Sequence, residues 1–323
     1  MRLLMCLFSV IALAQAQHSE PLRLAGTIPL PQVEGRIDHL SIDVKGQRLF
    51  VAALGNNTIE VIDVKNGKRL YSIPGLQEPQ GLVYVPDTNR LYAANGGDGS
   101  LRIFDGRSFR LLKTIPWGED ADNVRYDPRR DRIYVGYGSG ALGVMDRDGR
   151  KIGVIPLDAH PESFQLETTG SRIFVNLPGS RKIAVVDRET RKVIATWTTG
   201  GPQSNYPMAL DEADHRMFVV CRSPARMVVL DTLNGEVVET VGAVGDCDDV
   251  FYDSARKRIY AIGGEGAISV FQQLTVDHYN ELAKIGTAKG ARTGWFSPDL
   301  RRLFVAGRRE GTHPAEIRIY EVQ

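Results

Sequence analysis

Short apolar runs alternate along this chain with clusters of Gly, Asn, Asp and Pro. One run recurs seven times: an arginine, an aliphatic residue or Met, an aromatic ring, then Val or Ala. It begins at Arg48, Arg90, Arg132, Arg172, Arg216, Arg258 and Arg302, and successive copies start 42, 42, 40, 44, 42 and 44 residues apart. A period of about 40 to 45 residues built from strand-like segments is the mark of propeller blades, and sustained 3.6-residue periodicity is absent. A second β-rich run in each unit ends in an acid at Asp63, Asp105, Asp146, Asp187 and Asp231, with Gln272 and Glu321 in the last two places. Turn formers such as Lys65-Asn66-Gly67 and Leu233-Asn234-Gly235 separate these landmarks. Each unit therefore reads as four antiparallel strands: inner A, B with the arginine, C with the acid, and outer D.

The ends of the pattern predict how the ring closes. Ile73-Pro74, Ile115-Pro116 and Ile155-Pro156 end D strands, where Pro is tolerated at an outer edge. Thr27-Ile28-Pro29 repeats that signature ahead of the first A strand, whereas the seventh unit runs out of chain after its C strand (Glu316 to Glu321). Residues 22 to 30 are thus expected to supply the outer strand of blade seven. An open ring would leave two apolar faces and a strand edge in water. The fold class is all-β, a seven-bladed propeller of four-stranded antiparallel blades, occupying residues 17 to 323 as one domain.

Ahead of it, Arg2, the apolar run Leu3 to Leu13 and Ala14-Gln15-Ala16 read as a secretory signal over residues 1 to 16, cleaved after Ala16. Cys6 lies too deep in the apolar run for a lipoprotein cysteine. A periplasmic or secreted protein is expected, with no membrane span once the signal is removed. Removing the signal takes one Arg and no acid from 40 basic and 39 acidic residues, so the mature chain is formally neutral. Neutrality argues against a broad nucleic-acid-binding surface. A monomer is expected, engaging a small molecule, a peptide or a protein.

The repeats resemble the YVTN family of β-propellers, which includes the YncE-like exported proteins. Tyr92-Ala93-Ala94-Asn95, Phe50-Val51-Ala52-Ala53 and Phe174-Val175-Asn176 in B strands carry the resemblance, with Val61-Ile62-Asp63 and Val185-Val186-Asp187 in C strands. The final Asn of the family motif stands clearly only at Asn95. The resemblance implies the fold and export, and it implies no single activity, since fold does not determine chemistry.

In a propeller the D to A and B to C loops emerge on one face around the mouth of the central channel, the default ligand site. On this map the D to A loops bring His39, Asp122, Asn123, Glu162, Asn205, Asp248, Asp249 and Arg292 to the mouth, with Arg222 from a B to C loop. His39, Asp122, Glu162 and Asp248 are candidate ligands of a divalent metal ion, since carboxylates with imidazole suit Ca²⁺, Mn²⁺ or Zn²⁺. The other reading has them capping strand starts around a water-filled channel. Arg292, Arg222, Arg308 and His313 either clamp a carboxylate or phosphate or pair with acids at the same mouth.

Cys221 and Cys247 fall on the same face of adjacent blades, and an exported protein would join them in a disulfide. The seven motif arginines are expected to be structural, each pairing with an acid of its own A to B turn: Asp43, Asp87, Asp127, Glu167, Asp211, Asp253 or Asp299. No hydrolytic triad, phosphate loop or dinucleotide fingerprint is present. Two functions remain: a binding or scaffold propeller for a small anionic ligand, peptide or protein, and a metal-dependent, lactonase-like hydrolase or a lyase with His39 or His160 as acid/base.

Overall fold

A computed structural model describes residues 20 to 323, so the signal segment and Cys6 lie outside the described residues. Seven four-stranded antiparallel sheets follow one another, each running A, B, C, D from the axis outward. The repeated motif sets this register. In blade one Arg48 stands opposite Asp43 of strand A and Asp63 of strand C, which places Phe50 opposite Ser41 and Val61. The motif aromatics, Phe50, Tyr92, Tyr134, Phe174, Phe218, Tyr260 and Phe304, are all buried. They fall in seven hydrophobic clusters that occupy the seven interfaces between blades. No blade has a core of its own, so each is stable only between neighbours.

The ring closes as the sequence predicts. Leu22–Leu30 pairs antiparallel with Ala315–Val322, from Leu22 opposite Val322 to Leu30 opposite Ala315, with one irregularity between Leu24 and Gly26. Ile28 and Leu30 then pack in the interface of blades seven and one, while Leu22 packs in that of blades six and seven. The first strand thus contributes to both interfaces of the last blade.

The motif arginines are structural, but they do not act as the sequence suggests. Only Arg48 and Arg172 pair with the acid of their own turn, Asp43 and Glu167. Six of the seven, Arg48 and Arg172 among them, reach the following blade, five at its C to D turn and Arg258 at Gln323, just past strand C of blade seven. Arg48 donates to the Gly106 carbonyl, Arg90 to that of Arg147 at 2.7 Å, and Arg172 to that of Thr232. Arg216 pairs with Asp277 at 2.5 Å, Arg258 donates to the Gln323 carbonyl at 2.8 Å, and Arg302 returns to the Val64 carbonyl at 3.5 Å. A guanidinium outreaches its own hairpin, and the next blade presents a carbonyl without a strand partner, so the bond ties blade to blade. Such a bond contributes about 1 kcal/mol, and it recurs around the ring. Arg132 is the exception. In blade four the residue after the C-strand acid is Arg188, which turns back to form a buried ion pair with Asp127 at 2.7 Å, so the clasp between blades three and four runs in the opposite direction.

Cys221 and Cys247 are both free, and the expected disulfide is not formed. Strand alternation is the reason. Val220 shares the interface of blades five and six with Cys247, so its neighbour Cys221 points through the sheet into the interface of blades four and five. Burial pushes the Cys221 thiol up to about 12 and that of Cys247 well above its ordinary value. Protein lacking residues 1 to 16, purified without reductant, should therefore show no reactive thiol when native at pH 8 and two after denaturation; fewer than two would establish a bridge. Deleting residues 17 to 30 should unzip blade seven and abolish cooperative thermal unfolding followed by circular dichroism, whereas a truncated chain with an unchanged transition would refute the closure.

Candidate functional site

A cavity of about 520 Å³ opens at the channel mouth. One position per blade builds its wall. The residues ten before each motif arginine are Asp38, Gln80, Asp122, Glu162, Tyr206, Asp248 and Arg292, and all seven line the cavity. The backbone explains why. The amides of Asp38, Asp122 and Glu162 donate to the carbonyls of Ala52, Gly136 and Asn176 on their own B strands, at 2.8, 2.9 and 3.0 Å. Each chain segment is thereby anchored just before its A strand. Arg36, His39, Glu78, Asp120 and His160 add to the wall from the same segments, and Arg222 from the B to C turn of blade five. Close packing between blades holds the geometry: a Cβ on Gly81 would lie 2.3 Å from the Asp122 carbonyl oxygen.

Six carboxylates of the wall face three guanidinium groups. Two of the arginines are committed: Arg222 lies 2.5 Å from Asp248 and 3.5 Å from Asp246, while Arg292 lies 3.0 Å from each of these acids. Arg222 also stands 3.8 Å over the Tyr206 ring. Of the two readings left open for these arginines, ion pairing at the mouth is the one the geometry shows. Arg36 holds Asp38 at 3.2 Å.

The remaining negative charge centres on Asp122. It belongs to two groups of three residues, Asp38-His39-Asp122 and Asp122-His160-Glu162, each with ligand atoms all within 4.8 Å of one another. His160 places Nδ1 2.6 Å from the Gly138 carbonyl, so that nitrogen carries a proton, and turns Nε2 toward Asp122 at 3.7 Å. His39 is tethered likewise, with Nδ1 3.3 Å from Asp249, but its Nε2 faces the Asn123 side-chain amide nitrogen at 3.4 Å, so His160 alone turns its second nitrogen to an acid. An imidazole tethered at one nitrogen by a carbonyl or carboxylate, with the other directed at acids, is how proteins orient a metal-binding histidine. This donor set fits Zn²⁺ or Mn²⁺ better than Ca²⁺, which prefers oxygen alone.

The crowding shifts the titrating groups. Burial opposes charge on His39, yet Asp249, Asp38 and Asp122 outweigh it and raise its pKa to about 10. Burial likewise opposes charge on His160, and Asp122, the Gly138 carbonyl and Glu162 raise it to about 9. Glu162 rises to about 8 through burial and the charge of Asp122. Burial raises Asp248 as well, against its arginine partners.

Of the residues expected at the mouth, His39, Asp122, Glu162, Arg222, Asp248 and Arg292 line the cavity; Asn123, Asp249 and Asn205 do not. Asn123 and Asp249 lie one residue further along, where they support His39 from below. Asn205 lies one residue earlier, the position held by buried Ile37, Ala121 and Cys247 in other blades, and it donates to Asn176 Oδ1 and the Lys182 carbonyl, both at 3.0 Å. Asp248 leaves the candidate metal set because Arg222 and Arg292 already hold it. Asp38 and His160 enter that set. The ten-residue offset marks Asp38; His160 has no such signal, because the blade-three loop carbonyl at Gly138 aims it.

A proton bound more tightly in the folded than in the unfolded state stabilises folding below the unfolded-state pKa, and that contribution disappears as pH rises through the folded-state value. For Glu162 the window runs from its ordinary 4.5 to about 8, and for His160 and His39 from 6.5 to about 9 and about 10. Metal-free protein should therefore lose melting temperature steadily between pH 6.5 and 10, and Glu162→Gln should flatten the part below pH 8. A melting temperature that is level or rising across this range in the parent protein would contradict the assignment.

Neither a protein-family model nor a curated protein sequence matches this chain. Solved propellers do match in structure. A chain of the mitotic checkpoint complex superposes with a TM-score of 0.80 at 14% identity, covering 100% of this chain and 99% of that one. A chain of Kuenenia stuttgartiensis hydrazine synthase superposes with a TM-score of 0.73 at 16% identity, covering 85% of this chain and 94% of that one. At such identities the likeness establishes the fold: this chain is a seven-bladed β-propeller.

Proposed function

We propose that this chain is an exported, YVTN-like binding propeller that captures a small ligand at its channel mouth through a divalent metal ion. One observation carries the reading: Asp122 is shared by two groups of metal-binding side chains, each containing a histidine whose other nitrogen is tethered. An excess of carboxylates in a confined wall favours a cation there, and an ion held by Asp122, His160 and Glu162 would offer its remaining coordination positions to a ligand entering from solvent. The checkpoint-complex chain is a propeller within an assembly, which fits the use of this fold as a binding platform.

A metal-dependent hydrolase or lyase is the second reading. Glu162 favours it if the ion is held by the other group, Asp38, His39 and Asp122, which leaves Glu162 free: in the metal-free site its carboxyl, raised to about 8, has the acid strength of a general acid/base near neutrality.

Titration calorimetry of chelator-treated mature protein with Mn²⁺ and Zn²⁺ separates metal binding from a merely solvated channel. Saturable uptake is expected, weakened at least about 100-fold by Asp122→Asn, because two ligand groups lose their shared member. Absence of uptake for both ions, or an Asp122→Asn variant that binds equally well, would reject the site. Turnover of a lactone series by metal-loaded protein, lost in Glu162→Gln, would select the enzyme over the binding protein.

A further inference from the structure

Beneath the mouth, with His39 in the wall of both, a second cavity of about 270 Å³ lies inside the ring. Its character is different. Three residues beyond each mouth position, the A strands carry Ser41, Val83, Arg125, Gln165, Ala209, Phe251 and Trp295, each opposite the motif aromatic of its own blade. Six are neutral and one is a guanidinium. Arg125 enters from blade three, while Phe251, Trp295 and Phe296 form an aromatic wall from blades six and seven.

The Arg125 guanidinium donates through Nη1 to the Val124 carbonyl at 3.0 Å and stands 5.4 Å from the centre of the Phe164 ring. Among the described residues it forms no ion pair. The one carboxylate lining this chamber, Asp249, is held by His39 at 3.3 Å and by the Gly294 amide at 2.9 Å. An enclosed cation is costly without an anionic partner, and replacing it with an apolar side chain is often neutral or stabilising. Every other of these seven positions avoids charge, and only the more distant carboxylates Asp249 and Asp122, neither of them ion-paired to it, act against the cost of burying Arg125.

We infer that this chamber is a binding site for an organic anion with one carboxylate on a flat apolar body, the carboxylate meeting the Arg125 fork and the body lying against Phe251, Trp295 and Phe296. Planar bidentate recognition is what distinguishes a guanidinium, and the aromatic faces opposite supply the apolar contact. Gln165 and Val83 complete the walls. This site does not depend on the metal reading of the mouth.

The test is calorimetry with 3-phenylpropanoate, 3-phenylpropanamide and acetate, in buffer containing a chelator so that no mouth-bound ion contributes. One saturable site for 3-phenylpropanoate is expected, with the amide and acetate each at least about tenfold weaker, the factor a charge-assisted hydrogen bond supplies. Arg125→Gln, with folding checked by its thermal transition, should erase the preference for carboxylate over amide. Should that variant not fold, Arg125→Lys, which keeps the charge and loses the fork, should bind the carboxylate with an affinity between those of the parent for carboxylate and amide. Equal binding of carboxylate and amide, no binding of either, or an unchanged preference in Arg125→Gln or Arg125→Lys overturns the inference.

Discussion

Everything in this molecule rests on one strand pairing, that of Leu22–Leu30 with Ala315–Val322. Hydrophobic clusters lie between blades and never within one, so a blade contributes stability only when flanked on both sides. Closure turns a row of such blades into a ring in which every apolar face is covered. Because the pairing also sets the angular position of the last blade against the first, it brings Asp38 and His39 of blade one into the same cavity as Arg292 of blade seven.

Charge is divided between the two faces of the ring. At the A to B and C to D turns the repeated arginines spend their charge on carbonyls and acids of the next blade, which makes that face a girdle of clasps. At the mouth, ten residues upstream of the same arginines, acids outnumber guanidinium groups and the pKa values of His39, His160, Glu162 and Asp248 are raised. The blade repeat thus delivers structural arginines to one end and a carboxylate-rich wall, which holds protons tightly, to the other. The mouth arrangement opens into the cavity of about 520 Å³.

Strand alternation decides which of several adjacent polar residues acts at the mouth. In Asn205-Tyr206 and Cys247-Asp248 the first residue is buried and the second faces the cavity, and Asp249, next after Asp248, lines the chamber beneath it. The same alternation separates Cys221 from Cys247, although both lie toward the mouth on adjacent blades. Proximity in the repeat map therefore does not imply contact.

The amino-acid sequence by itself determined the number of blades, their strand order and the closing strand, because a motif recurring at intervals of 40 to 44 residues leaves one register for all seven units. It also determined the mouth wall, through a constant offset from each arginine, and with it the positions of Asp122, Glu162, Asp248 and Arg292. Tertiary structure alone decided the partners. That Arg48 reaches Gly106, that Arg222 and Arg292 hold Asp248, that Gly138 orients His160, and that Arg125 is left unpaired opposite Trp295 all depend on side chains meeting across blade boundaries. A repeat encodes what each blade presents, whereas the twist and spacing between blades determine which presented groups come within a few ångströms of one another.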